Sequence, residues 1–340
     1  MPDSRRRTSE NAQAAGSTPA RAAASDPPEP SAPRAHARRW LALLIGIYVV
    51  LHVGYSRATP PLNGPDEPQH LQYIESLALH RQLPHFDRMR NDPDARPMVL
   101  HTALHGPVYY GLLAPFYLAL RPIGENVALQ ALRHLTGLLG IALIILTRAA
   151  CARVFGDGPL ARWTTAAAAL HPLTLYLGAH ISNEMLAAVW VALAFWFLAR
   201  ALTGESGLRP WVGVGIAIAL GLLTKYTAIV ALFAAGAALA LQWRRGPLGL
   251  GAAALRGAAL VVPTLVLGGW WFARNVAQHG EVFVLQYDQP LFPGGLRSAL
   301  LLPEEWIPAT ALVLVETFRT YVGPLWLFRE WPRFFARLTP

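Results

Sequence analysis

Long apolar blocks alternate with short polar stretches along most of this chain. The apolar runs recur from Trp40 to the C-terminus, and the polar stretches between them are rich in arginine. Many runs approach the roughly 17 to 25 residues that a spanning helix needs. A backbone in lipid must satisfy its hydrogen bonds internally, which a helix does. The pattern therefore predicts an all-α polytopic membrane protein.

Composition and charge agree with this class. Of 340 residues, 54% are hydrophobic and 14% are charged, whereas soluble domains carry about 25% charged residues. The net charge of +9 comes almost entirely from arginine, since Lys225 is the only lysine. In a membrane protein such an excess marks cytoplasmic loops, so we expect no nucleic-acid partner. The lone cysteine, Cys151, cannot form an internal disulfide.

The N-terminal segment sets the orientation of the first span. Residues 1–39 are rich in Ala, Pro, Ser and Arg, which predicts a disordered cytoplasmic tail. Arginines abut the first predicted span, residues 40–55, and place its N-terminus in the cytoplasm. A signal peptide is the rival interpretation, and the lack of a clear small-x-small cleavage site disfavours it.

The sidedness of the later spans depends on Pro107–Leu120, which is short and contains two prolines. If this segment does not cross the membrane, every arginine cluster lies in the cytoplasm. If it crosses, the clusters lie outside, against the positive-inside rule. We therefore predict a re-entrant or juxtamembrane helix there and about seven spans up to Phe272. After the first, the predicted spans cover residues 126–147, 162–179, 185–202, 211–223, 226–242 and 251–272.

The chain divides into three predicted parts. Residues 40–290 form the membrane module that follows the tail. Residues 291–340 form an outer loop, a last apolar segment at Ile307–Phe328 and a basic end.

Two adjacent carboxylates, Asp66 and Glu67, lie in a proline-rich link just after the first span. Prolines fix φ and remove donors, so Pro60–His70 is a stiff entry to an amphipathic helix. One explanation is structural, because Asp caps helix N-termini and Pro68 suits the first turn. The other is a general base at the membrane surface. Capping does not require two acids, and Asp66 can serve both purposes.

Three further polar features fall on the same predicted outer side. A turn between two spans carries Glu184 with Asn183 and His180, either as a solvated helix cap or as a second acid. Lys225 and Arg274 are either interfacial anchors or contacts to a phosphate. Because four separate loops contribute, we predict an active site at the outer membrane surface.

Histidines flank the short juxtamembrane segment. His101 and His105 could share a helical face, as in some metal sites, near Tyr109. The loop has no clear partner ligand, so solvated histidines are the favoured interpretation. No spacing in the chain demands a metal. A divalent cation stays possible, because carboxylates that face a lipid phosphate could bind one.

Taken in order, these residues resemble the GT-C class of membrane glycosyltransferases. The resemblance is strongest to dolichyl-phosphate-mannose protein mannosyltransferases and bacterial aminoarabinose transferases, a glycosyltransferase family 39-like branch. It covers roughly residues 40 to 290. The segments that carry it are Pro65–His70, His105–Tyr110, Arg133, Asn183–Glu184, Thr224–Thr227 and Trp270–Asn275.

The resemblance implies a GT-C transmembrane module with juxtamembrane helices in the first outer loop. It implies transfer of a sugar from a polyprenyl-phosphate donor to a lipid, glycan or protein acceptor, with inversion. Asp66, with Glu67, would be the catalytic acid pair, and Lys225 and Arg274 would bind the lipid phosphate. The second acid is Glu184 where Asp is usual. Since family members usually continue past position 340, we expect a short or truncated member.

The sequence therefore predicts a multi-pass glycosyltransferase of the cell envelope, in the inner (plasma) membrane. A transporter or lipid flippase is an alternative, but such proteins often show repeats and midplane charges, and here the charges cluster at one face. A non-catalytic membrane scaffold of the same fold is a second alternative.

Overall fold

The computed structural model describes residues 32–64, 66–84, 102–205, 207–246, 248–280 and 282–283. The predictions for residues 1–31, for His101 and for the apolar segment Ile307–Phe328 lie outside these ranges. The described residues form helices and connecting turns without a β-strand. The all-α polytopic fold that the apolar pattern predicted is confirmed.

Ten α-helices make up the described part of the chain. They are α1 (Ala32–Ala58), α2 (Glu67–His80), α3 (Val108–Leu120), α4 (Glu125–Phe155), α5 (Pro159–Ala169), α6 (Pro172–Gly178), α7 (Asn183–Leu202), α8 (Arg209–Leu222), α9 (Val230–Arg245) and α10 (Leu250–His279). Short 3₁₀ turns lie at Thr102–Leu104, Arg121–Ile123 and Tyr226–Ile229.

Five stretches in the described residues are long and apolar enough to cross a membrane. They are His36–Ala58, Glu125–Phe155, Asn183–Leu202, Tyr226–Arg244 and Leu250–His279. The other two predicted spans do not form single helices long enough to cross. Helix α8 has 14 residues, about 21 Å against a hydrocarbon core of about 30 Å. The remaining span is split into α5 and α6 at His171, because a residue before proline is pushed out of the helical region.

Helix α1 begins earlier than predicted. It starts at Ala32, so part of the segment predicted as a disordered tail is helical. Pro33, at the second helical residue, fits this start because the first turn has no internal partner for its missing N–H.

Helices α2 and α3 form the predicted juxtamembrane layer. With 13 residues, α3 is about 20 Å long and too short to span. The two helices pack on each other, and α3 also packs on α4 and α7. The core between them contains Tyr73, Ile74, Tyr110, Leu113 and Leu132, all almost fully buried.

One end of the bundle, which we call the acidic end, gathers the ends of α1, α4, α7, α8 and α10. Asparagine side chains supply two of its links. Asn183 Nδ2 donates to the carbonyl of Thr224 at 3.0 Å, and Asn275 Nδ2 donates to Tyr226 Oη at 3.2 Å. These bonds bring turns that are distant in sequence to the level of the proline-rich link.

The opposite end, which we call the arginine end, carries most of the described cationic groups. Arg148 pairs with Asp157, Arg200 Nε lies 2.8 Å from Glu205 Oε1, and Arg153 Nε donates to Thr203 Oγ1 at 2.8 Å. The arginine clusters therefore lie at the end of the bundle away from Asp66. This separation is the one that the sidedness prediction required.

Candidate active site

The two adjacent acids of the proline-rich link have opposite surroundings. Glu67 is fully buried, and its carboxylate is held by the Arg133 guanidinium in a two-pronged ion pair. Arg133 Nε lies 2.7 Å from Oε1 and Nη2 lies 2.6 Å from Oε2. The same oxygens accept the backbone N–H groups of Gly64 at 3.3 Å and Ile181 at 3.2 Å. This carboxylate has a full set of partners.

Arg133 uses its remaining donors to fix the chain that leads to the acids. Its two Nη atoms donate to the carbonyls of Ser56, Thr59 and Pro60 at 2.8 to 2.9 Å. The ion pair thus joins the end of α1, the start of α2, helix α4 and the turn before α7. Removing one partner of such a buried pair leaves an uncompensated charge and typically costs about 3 to 5 kcal/mol.

His180 supports the same link from below. Its ring is buried, and Nδ1 donates to the carbonyl of Tyr176 at 2.6 Å. A Cβ atom on Gly64 would lie 2.5 Å from His180 Cδ2, so only glycine allows this approach. Burial is the main cause that lowers the pKa of His180. A neutral, enclosed imidazole in this place is a support for the loop.

Asp66 presents its side chain outward. It is exposed and occupies the N-cap position of α2 with φ 53° and ψ 12°, in the left-handed region. Its carbonyl accepts the N–H of Gln69 at 3.0 Å and of His70 at 2.9 Å, but its side chain makes no capping hydrogen bond. Strained backbone of this kind clusters at functional sites. The backbone performs the capping role, which leaves the carboxylate available for chemistry.

A buried aromatic cluster lies directly beneath Asp66, and we call His70, Tyr73 and Tyr110 the aromatic cluster. His70 Nδ1 lies 2.9 Å from Tyr110 Oη, and the Tyr73 and Tyr110 rings stack with centroids 3.8 Å apart. All three side chains are nearly or fully enclosed.

The pKa shifts of the aromatic cluster depend on burial and on the charged groups nearby. Burial lowers the pKa of His70 well below its usual value, and the nearby charges of His105 and Lys225 lower it further. Burial raises the pKa of Tyr110, helped by its neighbouring tyrosines and by Glu184 and Asp66.

Arg274, the fourth charged group of the acidic end, acts on the same aromatic cluster. Burial raises the pKa of Tyr73, and the positive charge of Arg274 opposes this rise. The structure therefore gathers Asp66, Glu184, Lys225 and Arg274 around one buried cluster.

Glu184 and Lys225 form an ion pair with each other. Their side chains are 36% and 21% exposed, so the pair borders solvent. Ser182 caps α7 by accepting the N–H of Glu184 at 3.3 Å, so the Glu184 carboxylate is not needed as the cap. Asn183 is fully buried and holds the Thr224 carbonyl, which keeps the two turns in register.

Arg274 reaches from α10 toward the end of α2. Its Nη2 donates to the carbonyl of Pro84 at 3.0 Å, and its guanidinium lies 4.6 Å from the centroid of the Trp271 ring. The side chain is half-buried. A half-buried guanidinium held near an aromatic ring keeps further donors available for an anionic group.

Tyr109 and His105 lie at the start of α3. Tyr109 is fully buried and its hydroxyl lies 2.7 Å from Thr136 Oγ1. His105 is half-buried, and its carbonyl accepts the Tyr73 hydroxyl at 3.2 Å. Tyr109 is therefore part of the buried packing under the site, whereas the charge of His105 acts on the pKa of His70.

Sequence reasoning did not find the Glu184–Lys225 pair or the aromatic cluster. The cluster left a weak signal, since His70 and Tyr73 are three residues apart on an amphipathic helix. The pair left none, because its members are 41 residues apart in sequence. Among the described residues no group of three His, Cys, Asp or Glu side chains could hold a metal ion.

Comparison with known proteins gives one match. The family model described as dolichyl-phosphate-mannose-protein mannosyltransferase matches residues 105–271, from the start of α3 into α10. No curated protein and no solved structure matches the chain. Together with the helical membrane fold, the match identifies the chain as a membrane glycosyltransferase of the GT-C class. The matched region contains Arg133, Glu184 and Lys225, while Asp66 and Arg274 lie outside it.

Proposed function

We propose that this glycosyltransferase moves a sugar from a polyprenyl-phosphate donor to an acceptor at the outer face of the inner membrane, with inversion. The acceptor is a lipid, glycan or protein. The observation that carries the proposal is the geometry of the acidic end. Asp66 is exposed at the start of α2 without a side-chain capping bond, Glu184 pairs with Lys225, and Arg274 binds the chain just after α2.

The outer side is assigned from charge. Arginines in membrane proteins concentrate on cytoplasmic segments, and here most of the described arginines lie at the end away from Asp66, among them Arg148, Arg153 and Arg200. The acidic end is therefore extracytoplasmic in this proposal, and the N-terminus of α1 is cytoplasmic.

Asp66 is the proposed general base. An acceptor hydroxyl or amine loses its proton to the Asp66 carboxylate as its oxygen or nitrogen forms a bond to the anomeric carbon. The bond from that carbon to the phosphate oxygen breaks, and its electron pair leaves with the lipid phosphate. Attack from the side opposite the leaving phosphate inverts the anomeric centre.

Glu67 is a positioning residue in this proposal. Its oxygens are filled by Arg133 and two backbone N–H groups, and its side chain has no exposed surface. Through Arg133 it fixes the link on which Asp66 stands. Tyr109, Asn183 and His180 support the turns around it from buried positions.

Lys225 and Arg274 are the proposed contacts of the lipid phosphate. Charged donors aimed at a leaving phosphate stabilise the negative charge that develops there. In the structure Glu184 neutralises Lys225. A donor phosphate would compete with Glu184 for the ammonium group, and the released carboxylate would be free to bind the acceptor.

Purified protein tests the proposal directly. It is mixed with a panel of radiolabelled polyprenyl-phosphate sugars and a membrane extract as the acceptor. Label transferred by the wild type with at least one donor is the expected result. If the protein binds the donors but transfers label from none of them, the proposed reaction is overturned.

A further inference from the structure

A groove lies at the arginine end, far from Asp66. It has a volume of about 700 Å³ and is bordered by the C-terminal ends of α7 and α9 and the first turns of α10. Its walls are aliphatic, from Leu202, Ala238, Leu241 and Leu248. Two polar side chains, Gln242 and Arg256, also line it.

Arg256 is held at the groove by a neutral partner. Its Nη1 donates to Gln242 Oε1 at 3.1 Å, and Gln242 Nε2 donates in turn to the Ala201 carbonyl at 3.4 Å. The glutamine is thus oriented by the C-terminal turn of α7 and presents its oxygen to the arginine. The guanidinium is half-buried and has further N–H groups to offer a ligand.

The charge of Arg256 is not balanced by the described acids. Some arginines at this end have carboxylate partners, such as Asp157 for Arg148 and Glu205 for Arg200. None of the ion pairs among the described ranges includes Arg256. The groove therefore combines apolar walls with one cation whose charge is uncompensated within the described part of the chain.

The surroundings place this cation near the boundary of the bilayer. Trp243, Leu241, Leu250 and Leu255 are exposed around it. Tryptophan concentrates at the level of lipid headgroups, and exposed leucines suit the acyl region. A ligand here meets lipid chains on one side and headgroups on the other.

We propose that this groove binds an anionic glycerophospholipid. Its phosphodiester lies on Arg256, and its acyl chains run along Ala238, Leu241 and Leu202. Guanidinium is weakly hydrated and matches phosphate oxygens with paired donors. A zwitterionic lipid would leave the uncompensated charge in place, whereas an anionic headgroup neutralises it. Basic pockets between helices on the cytoplasmic side suit such headgroups.

Phospholipid retention measured by native mass spectrometry tests the site. Wild-type protein is exchanged into detergent with phosphatidylglycerol or phosphatidylcholine, beside Arg256→Gln and Arg209→Gln. Arg209 is exposed at the same end but does not line the groove. We expect the wild type and Arg209→Gln to retain phosphatidylglycerol, and Arg256→Gln to bind it about fivefold more weakly.

A second variant keeps the test informative if Arg256→Gln folds poorly. Ala238→Phe fills the acyl part of the groove without a change of charge, and it should also lower phosphatidylglycerol retention. Equal retention by wild type and both groove variants would overturn the site. Equal binding of phosphatidylcholine, or an Arg256-dependent preference for polyprenyl phosphate, would overturn the anionic phospholipid as its ligand. None of these outcomes depends on sugar transfer.

Discussion

Neutralising Asp66 should lower activity without a loss of stability, whereas neutralising Glu67 should lower stability. Asp66→Asn removes an exposed carboxylate without side-chain capping bonds, and asparagine tolerates the left-handed backbone at this position. We expect its melting temperature to match the wild type while sugar transfer falls about 10² to 10⁴-fold, the usual contribution of a general base. Glu67→Gln should instead lower stability.

The size of the Glu67 effect follows from its partners. The carboxylate accepts two short bonds from Arg133, at 2.6 and 2.7 Å, and two backbone N–H bonds, all without solvent access. Glutamine turns an NH₂ group toward these donors and leaves the guanidinium charge unpaired. Breaking one side of a buried pair costs about 3 to 5 kcal/mol. In a chain of 340 residues that corresponds to a fall of about 4 to 7 °C in melting temperature, from an unfolding entropy of about 2.1 cal/mol/K per residue.

Thermal unfolding in detergent and sugar transfer are measured on the same preparations. A double variant, Glu67→Gln with Arg133→Gln, serves as the control, because it leaves neither charge unpaired. Its loss of stability should be smaller than the sum of the two single losses. A stable Glu67→Gln protein together with an unstable Asp66→Asn protein would refute the assignment of the two roles.

Three other predictions follow from the site. Lys225→Ala should weaken donor binding about tenfold or more. Glu184→Gln should strengthen donor binding by freeing Lys225, and it should slow turnover. Donor titration by fluorescence measures both affinities, and the same change of donor affinity in the two variants would contradict competition between Glu184 and the donor phosphate for Lys225. Because the folded state holds the pKa of His70 well below that of the unfolded chain, unfolding takes up a proton as pH falls below about 6.5, so stability should drop toward pH 5 by up to about 1.4 kcal/mol per pH unit. His70→Gln should make this loss of stability with falling pH shallower, and an unchanged slope would speak against the buried neutral imidazole. In a Cys151→Ala background, an impermeant maleimide added to spheroplasts should label Asn63→Cys and spare Arg209→Cys, and the reverse pattern would invert the sidedness.

Much of the fold could be predicted from the sequence because its signals are local. Apolar runs in lipid must be helical, and the two prolines and short length of Pro107–Leu120 predicted a helix that does not cross. The limits of this reasoning lie where helix length and helix breaks decide. The break at His171 has a local cause, the following Pro172, but a count of apolar residues over 162–179 passes over it. Helix α8 is about as short as predicted, but the prediction of a span there neglected the bilayer thickness.

The sequence singled out the charged groups that the structure places at the acidic end, but it gave neither their partners nor the aromatic cluster. Asp66 and Glu67 are chemically similar neighbours, and only Arg133, 66 residues beyond Glu67, decides which of them is enclosed. The pairing of Glu184 with Lys225 likewise depends on two turns brought together by tertiary packing. Contacts of this range leave no trace in local spacing, so burial and partners had to come from the structure.

The most direct measurement is donor turnover by Asp66→Asn compared with donor binding by the same variant. Wild-type protein supplied with donor and acceptor should release polyprenyl phosphate and form a product of inverted anomeric configuration. Asp66→Asn should bind the donor with wild-type affinity and release almost none of the carrier. Release at the wild-type rate by Asp66→Asn, or a product of retained configuration, would contradict Asp66 as the base of an inverting transfer.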